Sequence, residues 1–234
     1  MKKLPYLILL LIFLAPRVFA ESQQASGDTA QDIIDNAKYE YLNDSGGAYW
    51  DDDSKLLNIL NRGVLQIAAI TECLETVEKV LLLTGITEYA ISSNYISVKK
   101  VIYSGATVIY NSSTLKGLER VDLQVLAHAE NIGEPAKYYV WNDYVGIDPV
   151  PSSSVSGYSV YLYMIERPSS IALTDDIPTP AIYDHALTLF VAYQAFRKDR
   201  QINRSNQLKE EYLSELQFYG TKIDALRNPK GKTP

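Results

Sequence analysis

The chain has 234 residues, a formal net charge of −6, 47% hydrophobic and 21% charged residues, one cysteine and two histidines. That apolar content excludes a disordered chain, and a single cysteine excludes an intrachain disulfide or a cysteine-based zinc cluster. The acidic balance argues against a protein that grips nucleic acid across a broad face, and the length suits one domain able to bury its own core.

Residues 1–20 (MKKLPYLILLLIFLAPRVFA) have the three parts of a secretory signal. Lys2 and Lys3 supply the positive end, Leu4 to Ala15 a mostly apolar run, and Val18-Phe19-Ala20 a small-x-small site with the cut before Glu21. The run is short for a transmembrane helix, which needs roughly 20 apolar residues. An uncleaved anchor and an extended start are the alternatives. Cleavage removes Lys2, Lys3 and Arg17 and no acid, so the remaining chain is more acidic still. Such a chain is expected to have no stable membrane binding. Cys73, near Ile70 and Leu74, reads as a buried small hydrophobe rather than a reactive thiol.

Residues 21–28 (ESQQASGD) are polar and expected to be flexible. Asp28 or Thr29 can cap a helix carrying Ile33, Ile34, Ala37, Tyr41 and Leu42, which Asn43 to Gly47 end in a turn. Asp51-Asp52-Asp53 then suit the positive end of a second helix, over roughly 52–71, with Leu56, Leu60, Val64 and Ile67 on one face. Gly63 interrupts that pattern. Val77–Leu83 and Ile86–Ile91, joined by Thr84-Gly85, read as a hairpin, as do Tyr95–Tyr103 and Ala106–Tyr110 around Ser104-Gly105. Residues 113–130 return to helical spacing, although Val121, Leu123 and Val125 also alternate as a strand would. Lys137–Trp141 and Tyr144–Ile147 form a third hairpin candidate around Asn142-Asp143, and Gly157–Ile165 alternates as a clear strand.

The last third is helical. Thr179 is placed to cap, and Pro180 to open, a helix with Ile182, Ala186, Leu189, Phe190, Tyr193 and Phe196. Asn203-Arg204-Ser205 reads as a hinge to a second helix, with Leu208, Tyr212, Leu216, Tyr219, Ile223 and Leu226 on one face, folded back as an α-hairpin. Residues 227–234 form a basic, flexible tail. The fold class is therefore α+β: mainly a helical bundle with an inserted set of short β-hairpins and a C-terminal helical hairpin, in one domain over residues 29–226.

No catalytic, cofactor or metal residues stand out. His128 and His185 have no second histidine at helical spacing and read as solvated or satisfied structural residues. Zincin, nucleophile-elbow and phosphate-loop motifs do not occur. Calcium loops alternate their ligands, whereas Asp51 to Asp53 are contiguous and lead into a helix. Asp175-Asp176 reads in the same way, as loop polarity ahead of a helix. The unusual number is 18 tyrosines. Tyrosine joins an apolar ring to a polar tip, so it suits surfaces that become covered on assembly, as well as ordinary strands.

Three stretches, Tyr49-Trp50-Asp51 with LLNILNRGVLQIAAIT, then GEPAKYYVWNDYVGIDPVP, then DDIPTPAIYDHALTLFVAYQAFRKDRQ, together resemble the head–tail adaptor (connector) proteins of tailed bacteriophages. The residues that match the third pattern are Pro180, Tyr183, Ala186, Leu187, Tyr193, Phe196, Lys198 and Asp199. The likeness covers roughly residues 29–226 and rests on the order of elements. It implies a structural virion protein with no enzymatic activity and no cofactor. It also implies other copies of itself as partners in a dodecameric ring, between the portal protein and a tail or stopper protein. DNA would pass through without sequence-specific binding. Family members engage the portal through their C-terminal segment, which makes Arg227, Lys230 and Lys232 candidates. Hot spots favour Trp and Tyr, so Trp141, Tyr144 and Tyr139 on the hairpin are the other candidate contacts. The expected location is the virion; Met1–Ala20 supports the alternative, an exported, periplasmic binding or scaffold protein on the same fold.

Overall fold

The computed structural model describes residues 26–44, 50, 52–91, 94–105, 115–123 and 131–227. Thr29, rather than Asp28, caps the first helix, α1 (Ala30–Ala37): its hydroxyl accepts from the Asp32 N–H at 3.3 Å, and the Asp32 carboxylate accepts from the Thr29 N–H at 2.8 Å. A π-helical turn, Lys38–Leu42, follows and ends at Asn43 in the left-handed region. Helix α2 (Asp53–Thr71) is capped by Asp52, which accepts from Ser54 N–H at 3.1 Å. Asp53 takes the Lys38 ammonium and the Gln31 amide. Asp52 thus serves the helix start, as the sequence suggests, while Asp53 also ties α2 to Lys38 and Gln31; Asp51 lies outside the described residues.

Helix α3 (Asp184–Lys198) is the centre of the helical layer. Ala186 to Tyr193 are all buried, because α1, α2 and α4 (Ile202–Arg227) pack around it. That explains an apolar content too high for one open face. Thr179 does not cap it. Pro180 leads into a 3-10 turn, Ala181–Tyr183, which carries the Tyr183 ring fully into the core, so α3 begins only at Asp184. The Thr179 hydroxyl is buried without a hydrogen-bond partner among the described residues. The expected hinge also moves. The turn is Asp199–Gln201, with Arg200 at φ 61°, and Asn203 to Ser205 already belong to α4. Ser205 is drawn inward because its hydroxyl donates to the Tyr193 carbonyl at 2.9 Å. The α3–α4 hairpin itself forms as expected.

The β part is larger than a set of inserted hairpins. One antiparallel sheet has the order β1 (Glu75–Leu81), β10 (Ser159–Glu166), β3 (Tyr95–Ser104), β4 (Leu115–Gly117). A second has the order β2 (Glu88–Ala90), β8 (Tyr144–Asp148), β7 (Lys137–Trp141), β5 (Glu119–Arg120), with β5 parallel to β7. Strands β6 (Ile132–Gly133) and β9 (Val150–Pro151) form a short parallel pair. A core of Leu82, Val101, Tyr103, Tyr138, Val145, Val160, Leu162 and Met164 lies among these strands, separate from the helical core. Asn61 links α2 to the segment after β10, donating to the Ile171 carbonyl at 3.2 Å and accepting from its N–H at 2.8 Å.

Two expectations need correction. The turn at Thr84-Gly85 exists, with Gly85 at φ 77°, but β1 and β2 do not pair. β10 offers β1 a seven-residue register with Val80 and Leu162 on the core side, while the Tyr89 hydroxyl ties β2 to Ile86 and Leu83. Residues 115–120 are strand, not helix. The backbones of β3 and the second sheet capture them: Leu118 N–H donates to Val101 O and Glu119 N–H to Ala136 O. Residues 113–114 and 124–130 of that expected helix, including His128, and the expected strand over 106–110 lie outside the described residues. Among the described residues, β3 pairs with β10 and β4. The third hairpin, β7–β8, and the strand β10 form as the alternation indicates. Cys73 is half-buried against the helical core.

Candidate assembly surface

The β7–β8 hairpin positions the aromatic residues that the sequence singles out. Asn142 turns the chain at φ 49°, a conformation its short polar side chain tolerates. The Tyr95 hydroxyl donates to the Asn142 carbonyl at 2.6 Å, and Ile91 N–H donates to the Asp143 carbonyl at 2.8 Å, so the tip is held from outside the hairpin. Trp141 and Tyr144 sit directly opposite each other beside the turn, which puts both side chains on one face. They are 58% and 47% exposed. Tyr138 points the other way, into the β core.

Tyr139 shares the Trp141 face but is not on the surface. Its ring crosses Gly146 on β8, and its hydroxyl donates to Glu88 on β2 at 2.7 Å. Burial, with the Glu88 carboxylate alongside, pushes the phenol up to about 12. The hairpin thus has a locked inner aromatic and an open outer pair. Beside Trp141, a recess of about 570 Å³ is lined by Arg120, Val121, Asp122, Leu123 and Val140. An exposed Trp–Tyr pair on a tethered hairpin tip, next to a recess, has the make-up of a protein-binding anchor: large apolar area and polar tips. Arg227 ends α4, whereas Lys230 and Lys232 lie outside the described residues.

One cluster has no signal in the sequence. His185 Nδ1 lies 2.8 Å from the Glu215 carboxylate and its Nε2 lies 3.0 Å from the Tyr41 hydroxyl. Its sequence neighbours gave no partner; α4 and the π-turn supply both. The arrangement ties three helical segments together at the surface. The described residues hold no group of acids, histidines and cysteine placed to bind a metal ion.

The sequence profile of the SU10 adaptor protein matches residues 28–229. The chain belongs to the SU10 adaptor protein family. This is a family of phage head–tail adaptors, structural proteins that interact with other head and tail components. The match begins just before the Thr29 cap and runs past the end of α4, so it takes in both the helical layer and the sheets. None of the curated proteins matches the chain. Among the described residues, no helix of this adaptor is long and apolar enough to cross a membrane.

Proposed function

We propose that this adaptor assembles with copies of itself into a dodecameric ring between the portal and a tail or stopper protein, extending the DNA channel. Membership of an adaptor family across both layers of the fold carries the reading. Trp141 and Tyr144 contact a neighbouring subunit or tail component, and Arg227, Lys230 and Lys232 engage the portal. Net negative charge lets DNA slide through without adhering. The role needs no turnover and no cofactor, and it places the protein at the head–tail junction.

The test is electron microscopy and light scattering of the purified chain, alone and with the portal protein of the same phage. Annular particles in either sample support the reading. Their absence from both, at all concentrations, overturns it. Met1–Ala20 favours a second reading, an exported bacterial binding or scaffold protein on the same fold. Export with cleavage after Ala20 in the native host would favour that alternative.

A further inference from the structure

The outward face of the first sheet is apolar, aromatic and basic. The strand registers set Val77, Tyr163 and Lys100 in one row across β1, β10 and β3, and Lys79, Tyr161 and Ile102 in the next. Residues paired across strands share a face, so these six point away from the core side, where Val80, Leu162 and Val101 lie. Val77 is 52% and Tyr163 40% exposed, and both lysines are exposed. Among the described residues, neither Lys79 nor Lys100 forms an ion pair. Glu75, at the start of β1, already holds an interaction of its own. The helical layer carries a surface of opposite sign. Between α3 and α4 a recess of about 510 Å³ is lined by Leu189, Tyr219, Phe218, Glu211 and Glu215, with His185 held by Glu215. Phe218 packs edge-on against Tyr219 and is 63% exposed. Burial, and then the charges of Glu40, Glu211 and Glu215, raise the Tyr41 phenol above its ordinary value, so three carboxylates act on one point beside the recess.

We propose that the outward sheet face of one copy docks on the α3–α4 recess of a second copy, bringing Lys79 and Lys100 to its carboxylates and Tyr161 and Tyr163 to its Phe218. The inference rests on the self-assembly reading above and supplies a contact for it. Charge complementarity selects the occupant. Opposite potentials across an interface favour docking and penalise wrong partners. A second copy docking through the same sheet face would bring four lysines together. A nucleic acid could stack on two tyrosines flanked by lysines, but it would also meet a chain of formal net charge −6. The recess offers the face a local set of acids and an exposed aromatic ring, and tyrosine is a residue that interfaces favour. Two different patches meet, so the contact is heterologous. Such a contact repeats from copy to copy and closes as a ring when the rotation allows.

The experiment is sedimentation and light scattering of the full chain, alone and with the portal protein of the same phage, with circular dichroism confirming the fold of each variant. One variant, Lys79→Glu/Lys100→Glu, reverses the sheet face. The other, Glu40→Lys/Glu211→Lys, reverses the recess. Each variant by itself should raise the dissociation constant of self-assembly about tenfold or more. An equimolar mixture of the two should assemble again, because each reversed surface then meets one of opposite sign. Variants that assemble like the wild type, or a mixture that does not recover, overturn the contact. If the face variant instead loses binding to a single-stranded oligonucleotide and assembles normally, the face belongs to nucleic acid and the proposal falls. Annular particles that form regardless of both variants sink this contact and leave the adaptor reading intact. A wild type that assembles in neither sample ends both.

Discussion

Gly63 on α2 lies under the ring of Phe190 on α3, so close that a Cβ at Gly63 would stand 2.8 Å from Phe190 Cδ1. The glycine that weakens the helical pattern is what lets two helices approach. Phe190 cannot swing aside, since it is 2% exposed and packs edge-on against Tyr193 and Tyr212. Gly63→Ala gains about 1 kcal/mol of helix propensity but overpacks the core by about 1–3 kcal/mol. The expected result is a net loss in denaturant titration, partly recovered by adding Phe190→Leu. A stabilised Gly63→Ala variant would show that α2 and α3 have room to spare.

Gly146 has the same role in the second sheet. A Cβ there would lie 2.0 Å from the Tyr139 ring, so Gly146→Ala must expel the ring and its bond to Glu88. The cost should be about 2 kcal/mol. Tyr139→Phe keeps the ring and loses only the hydrogen bond, about 1 kcal/mol. Thermal melts of the two variants should therefore rank Gly146→Ala below Tyr139→Phe.

Asp184, which accepts from the Ser26 hydroxyl at 2.8 Å, is pushed up to about 6 by burial, with the nearby Asp28 charge adding to it. Its ordinary value is 3.8. The folded state then holds the proton more tightly than the unfolded state, so this group's contribution is fully present below about pH 3.8 and fades as the pH rises through about 6. Residual solvent contact keeps the effect to about 1–2 kcal/mol. Asp184→Asn should flatten the stability profile between pH 4 and 7, measured by urea midpoints. An unchanged slope would assign the pH dependence to other carboxylates.

Trp141 and Tyr144 stand outside the fold's own packing. The double variant Trp141→Ala/Tyr144→Ala should shift stability by no more than about 0.5–1 kcal/mol. Partner binding should fall about tenfold or more if the pair anchors it. Calorimetry on the chain and a pull-down of head and tail components separate the two effects. A large fall in melting temperature would mark the pair as structural.

Much of this architecture is local and therefore readable from sequence. The Thr29 and Asp52 caps, the α3–α4 hairpin, the β7–β8 hairpin and the alternation of β10 depend on residues within a turn or two of one another. The misreadings share a cause. β1 and β2 read as strands but find their partners, β10 and β8, far along the chain, and β4 and β5 are too short for a local period to assign. Leu115 to Arg120 carries spacing that suits a helix, yet open backbone groups on neighbouring strands outweighed that weak preference.

The candidate surface divides in the same way. The aromatic residues and their hairpin are visible in the sequence, but Tyr139 and Trp141, two residues apart on one face, meet opposite fates. A glycine on the next strand opens a slot for the first ring, and the hairpin tip leaves the second in solvent. His185 likewise shows no partner until α4 brings Glu215 beside it. By itself the sequence determined the four main helices, the Thr29 and Asp52 caps, the α+β class and the adaptor likeness, because those follow from periodicity and order. Only the tertiary structure decided which strands pair and which rings are buried, because both depend on atoms contributed by distant segments of the chain.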